Sequence, residues 1–178
     1  PSKTTTDVTH VQKVEAVKED GTVAAADGWT LEVTEDADEV TSEIAKIYAH
    51  VVTAGNSAAS YFPTETQEAL AELFGKDVAL KTLSMNEFVT LKLTGFEKVT
   101  GDAKVVFTFT TKYEAGKKVA VVLGLYNGER DAKGQYVVDW KVLEAEVLEN
   151  GDLSVVFPLD VLAQMNDAVA VSMAVLGE

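Results

Sequence analysis

From residue 86 onward, apolar and polar residues alternate with a period of two, the pattern of half-buried β-strands. Phe88, Thr90 and Lys92 fall on one face, and Val89, Leu91 and Leu93 on the other. Val105, Phe107 and Phe109 alternate in turn with Val106, Thr108 and Thr110. Glu114-Ala115-Gly116 reads as a turn. Val119 to Tyr126 departs from alternation because almost every position is apolar, which predicts a central strand covered on both faces. Tyr136, Val138, Trp140 and Val142 make a further face, and the pattern slips near Leu143, which predicts a bulge there. Asn150-Gly151, set between Val147 and the Leu153, Val155, Phe157 face, is the strongest hairpin signal in the chain. Pro158 to Asn166 reads as a short helix or turn carrying Leu159, Leu162 and Met165. Val169, Val171, Met173 and Val175 mark the last strand.

The first half mixes both periods. Val8, Val11 and Val14 do not alternate cleanly ahead of the Glu19-Asp20-Gly21 turn, whereas Trp29, Leu31 and Val33 do so after Asp27-Gly28. Thr34 to Glu39 then opens a helix, its acidic residues complementing the positive end of the helix dipole. Val40, Ile44, Ile47, Val51 and Ala54 form one apolar stripe, which Gly55-Asn56 ends. Thr64 and Gln67 have capping-box spacing before a second helix bearing Ala69, Leu70, Leu73 and Phe74 and stopped by Gly75. The fold class expected is therefore α+β. Residues 1–6 form a flexible N-terminal segment, and residues 7–85 an α+β part with two helices. Residues 86–178 form an antiparallel, immunoglobulin-like β-sandwich of about six strands. A single continuous domain, with both helices on one sheet, is the alternative.

Composition narrows the function classes. Of 178 residues, 47% are hydrophobic and 25% charged, ordinary values for a folded chain. The longest apolar runs fall well short of the roughly 20 residues of a membrane-spanning helix. The formal net charge is −14, from 29 acidic and 15 basic residues, so the basic footprint that neutralises nucleic-acid phosphates is missing. An anionic membrane surface is disfavoured on the same ground. There is no cysteine, which removes disulfides and thiolate chemistry. The start at Pro1, followed by polar, threonine-rich residues, fits what remains after an export signal is cleaved.

No reactive constellation stands out. His10 and His50 lack a second ligand at helical spacing, and Ser57 has neither the second glycine of a nucleophile elbow nor a downstream histidine. No phosphate-cradling glycine run exists, and no cofactor is expected. Asn127, Glu129 and Asp131 alternate in a loop and are the calcium candidates, although glycine does not fall where an EF-hand loop needs it. Trp29, Tyr61 and Phe62 are candidates for stacking on a ligand such as a sugar, against a role in the core. Carboxylates remain for glycosidase-type chemistry, either Asp36, Asp38, Glu39 and Glu43, or Glu144, Glu146 and Glu149; solvated surface is the alternative. A lysine–asparagine crosslink of Lys92 or Lys104 with Asn166 is a further option that nothing in the spacing selects.

The apolar strand ending at Tyr126, the Asn150-Gly151 turn and Val155-Val156-Phe157-Pro158 leading to Val169 through Val175 loosely resemble uncharacterised exported modules of gut Gram-positive bacteria. Ala54-Gly55-Asn56-Ser57-Ala58-Ala59-Ser60-Tyr61-Phe62-Pro63 has the same style. The resemblance carries over no functional residue. It implies an extracellular or cell-surface location and no enzymatic activity. The expectation is a non-enzymatic module for surface display or for binding a protein or glycan, with a carboxylate-based glycan hydrolase or accessory sugar-binding domain as the alternative. Pairing of an exposed strand edge with another chain is a third option.

Overall fold

The computed structural model describes residues 11–17, 28–34, 62–75, 80–109, 112–134 and 136–177. Within them the alternating segments form strands β1 (Val11–Val17), β2 (Thr30–Thr34), β3 (Ser84–Thr94), β4 (Ala103–Phe109), β5 (Val119–Arg130), β6 (Tyr136–Val147), β7 (Leu153–Phe157) and β8 (Ala170–Gly177). Two α-helices accompany them, α1 (Thr64–Phe74) and α2 (Leu159–Asp167). The protein is thus a mixed α+β fold dominated by antiparallel sheet.

The strands hydrogen-bond into one sheet in the order β1-β4-β7-β6-β5-β8-β3-β2, every neighbouring pair antiparallel. The sheet curls into a half-barrel, and its two edge strands, β1 and β2, come within 8 Å of each other between Cα atoms. This corrects the expected immunoglobulin-like sandwich of two sheets. Period-two alternation shows that each strand buries one face, but a facing second sheet and the far wall of a curled single sheet satisfy it equally well. The strands from residues 11–34 lie in the same sheet as those after residue 84.

The inner face holds the main core. Phe107, Phe109, Leu123, Leu153, Val155, Phe157 and Met173 meet there, and α2 closes over them with Val161, Leu162 and Met165. At the start of α2, the Leu159 backbone N–H donates to Asp102 Oδ1 at 2.8 Å, so an acid from another loop serves the unpaired N-terminal donors of the helix. On the outer face, Phe62, Leu70 and Phe74 from the α1 region pack on Ala120, Val122 and Tyr126 of β5 and Ala174 and Leu176 of β8.

Two covers explain the unbroken apolar run. Val119 to Tyr126 are all buried and residues 127–130 all exposed, as expected for a central strand that outruns its β8 neighbour after Tyr126. β8 pairs with it along its length, from Val119 opposite Gly177 to Tyr126 opposite Ala170, and is buried throughout. β4, covered on the inner face only, keeps strict alternation, with Ala103, Val105, Phe107 and Phe109 buried.

Two local expectations change. The β5–β6 register runs without interruption through Leu143, and the irregularity lies instead between Tyr126 and Arg130. A register shift between Val11 and Lys13 accounts for the unclean alternation at the start of β1. The capping box at Thr64 does not form: Pro63 precedes the helix without a side-chain cap, and Gln67 Nε2 donates to the Phe62 carbonyl at 2.7 Å. The stop at Gly75 stands, with φ at +84°, where a left-handed backbone favours glycine. The helix expected from Thr34 to Ala54 lies outside the described residues.

Candidate functional site

The outer face of the sheet divides into two parts. Across β5, β6 and β8 it is apolar and carries α1, with the Phe62 ring edge-on to Trp140 at 5.2 Å between centroids. Gly124 makes this packing possible, because a Cβ there would lie 2.6 Å from Ser172 Oγ and 2.8 Å from the Trp140 ring. The adjoining part, over β4, β7 and the paired start of β5 and end of β6, carries charged side chains among apolar ones and forms a groove.

That groove has a volume of 560 Å³, and Lys104, Lys117, Lys118, Glu144, Glu146 and Val156 are among its lining residues. Strand register sets its rows. Lys104 sits opposite Val156, while Ser154 lies between Val106 on one side and Glu146 on the other. Successive outward positions on one strand are about 7 Å apart, so Glu144 and Glu146 point the same way from β6. Val156 is 51% exposed, an open apolar residue lying among charged ones and beside Ala145, Val147 and Ser154. Lys118 Nζ donates to the Leu73 carbonyl at 3.2 Å, favourable charge placement at the C-terminal end of α1 that also links this helix to the groove rim.

A buried polar node stands beyond the groove, at the β6–β7 turn. Asp152 is 8% exposed, and its carboxylate accepts hydrogen bonds from Lys112 Nζ at 2.9 Å, Thr108 Oγ1 at 3.0 Å and Asn150 Nδ2 at 3.1 Å. Burial by itself pushes this carboxyl up; the hydrogen bonds from Lys112 and Thr108, the lysine charge and the Asn150 amide outweigh it and hold it below its ordinary value. Gly151, at φ +87°, lets the turn press against the neighbouring segment, where an added Cβ would meet Lys112 Cβ at 2.8 Å. Tyr113 N–H donates to the Gly151 carbonyl at 3.2 Å. The node ties a hairpin turn to the chain before β5, and its chemistry is that of a structural ion pair.

The residues singled out from sequence fall in different places. Trp29, 5% exposed, and Phe62, 2% exposed, belong to the inner and outer apolar clusters respectively. Asn127, Glu129 and Asp131 are exposed at the end of β5 and beyond it. There Asn127 Oδ1 accepts from the Glu129 N–H at 3.2 Å and Asp131 Oδ1 from the Lys133 N–H at 2.9 Å, hydrogen bonds that shape the turn. Among the described residues no three of His, Cys, Asp and Glu are grouped to hold a metal ion. Glu144, Glu146 and Glu149 are exposed, and Lys92, Lys104 and Asn166 are exposed on β3, β4 and α2. His10, Asp36, Asp38, Glu39, Glu43, His50, Ser57 and Tyr61 lie outside the described residues. Sequence reasoning missed the groove because Lys104, Val156 and Glu146 come from three strands whose adjacency is a property of the sheet order. It also missed Asp152, although a carboxylate straight after Asn150-Gly151 is a turn-stabilising signal.

Comparison with protein-family models, with curated proteins and with solved structures gave no match. Among the described residues no helix is long and apolar enough to cross a membrane.

Proposed function

We propose that this chain is a non-enzymatic extracellular module of a bacterium that binds a protein or glycan partner through the outer-face groove over β4, β7 and β6. The observation that carries the reading is the division of the outer face: one part is covered by α1, and the other presents a groove within the size range of binding sites, about 300–1,000 Å³. The groove is open and mixed in charge, with Val156 exposed among its lining residues, which suits an extended segment with alternating charges better than an enclosed small molecule. No aromatic side chain is among its lining residues, and this favours a protein segment over a sugar that stacks on rings. Glu144 and Glu146 project side by side from one strand, whereas glycoside hydrolysis needs carboxylates on opposite sides of the scissile bond; binding therefore fits them better than catalysis. The extracellular location rests on the resemblance to exported modules of gut Gram-positive bacteria.

Selection of a displayed random-peptide library on the wild-type chain, followed by rebinding to a Lys104→Glu/Glu146→Lys variant, tests this. Peptides that bind the wild type and lose at least about tenfold in affinity for the equally stable variant support it. Selected peptides indifferent to the exchange overturn the groove assignment. A parallel glycan array separates sugar from protein recognition, and turnover of an arrayed glycan would favour the hydrolase alternative.

A further inference from the structure

The chain contains two Asn-Gly pairs, Asn127-Gly128 and Asn150-Gly151, and both asparagine side chains fold over the following backbone in the same way. Asn127 Oδ1 accepts from the N–H two residues on at 3.2 Å, and Asn150 Oδ1 does so at 3.0 Å. Attack of the glycine nitrogen on the preceding side-chain carbonyl carbon closes a five-membered ring, and the absence of a side chain on glycine leaves that approach unhindered.

The surroundings differ. At Asn150 the amide nitrogen is held by the Asp152 carboxylate at 3.1 Å, and the Gly151 N–H is engaged with the Leu148 carbonyl at 2.9 Å. At Asn127 the side chain is exposed, and residues 127–129 fall in the interruption of the β5–β6 ladder, beyond the last β8 pair at Tyr126. Gly128 sits at φ +99° in that interruption. An exposed side-chain amide is freer to turn its carbonyl carbon toward the next nitrogen than one held on two sides.

We infer that Asn127-Gly128 is a site of spontaneous deamidation in the folded protein and that Asn150-Gly151 is protected from it by Asp152 and Leu148. The Gly128 nitrogen, having given up its proton, attacks Asn127 Cγ. An N–Cγ bond forms, the Cγ–Nδ2 bond breaks, and Nδ2 leaves as ammonia with the proton that Gly128 lost. Solvent water then opens the cyclic imide at either carbonyl, giving aspartate or isoaspartate with no change of oxidation state. The product places a third carboxylate beside Glu129 and Asp131, and the isoaspartate form adds a methylene to the backbone at the end of β5.

The test is incubation of the folded chain at mildly alkaline pH, with peptide mapping that resolves aspartate from isoaspartate at both sites. Breaking the hydrogen bonds at Asn150 before attack slows that site, so Asn127 is expected to convert about tenfold faster or more. In guanidinium chloride the two sites converge on similar rates, because the protection belongs to the fold. Asp152→Ala accelerates Asn150 and leaves Asn127 unchanged. Asn150 keeping pace with Asn127 in the folded wild type, or Asn127 staying intact when folded while converting in denaturant, overturns the inference without recourse to any variant.

Discussion

Removing the Asp152 side chain leaves the Lys112 ammonium, the Thr108 hydroxyl and the Asn150 amide without their common acceptor. Asp152→Ala is expected to cost about 2–3 kcal/mol, measured by denaturant unfolding. The carboxyl is lowered from the ordinary 3.8, so its stabilisation is fully present above that value and is lost as the pH falls through the lower folded-state value. Melting curves of wild type and variant therefore draw together as the pH drops below about 4 and stay apart at neutral pH. Trp29 and Phe62 give a second contrast at this scale. As buried residues of the two apolar clusters, each costs about 3–5 kcal/mol on replacement by alanine. A stacking platform for a ligand would instead lose binding and keep its melting temperature.

At the scale of elements, the meeting of β5, β6 and β8 under α1 depends on Gly124. Gly124→Ala forces Ser172 and Trp140 apart, with an expected loss of about 1–3 kcal/mol in unfolding free energy. A variant as stable as wild type would show that the outer cover sits less closely on the sheet. What the sequence revealed was this kind of local information. The almost wholly apolar Val119–Tyr126 run announced a strand with two covers, and Asn150-Gly151 announced a hairpin, because each signal is written in contiguous residues. The slip at Leu143 misled for the converse reason. Both faces of the β5–β6 pair carry apolar residues there, so a change of pattern reflects the covers and leaves the register intact.

On the scale of the whole molecule, pairing order decides where the site lies. Lys104, Val156 and Glu146 form a surface only because β4, β7 and β6 are neighbours in one sheet, and no periodicity in the chain encodes that order. Curling lets one sheet do what two would do in a sandwich: its inner face closes over the main core while one part of its outer face stays open. Cross-strand Hα–Hα and amide Overhauser contacts in the isotope-labelled chain test this directly. One continuous ladder is expected from β1 through β4, β7, β6, β5, β8 and β3 to β2, including contacts of Lys104 with Val156 and of Ser154 with Glu146. A ladder broken between β7 and β6, with the two halves facing each other as separate sheets, would contradict it.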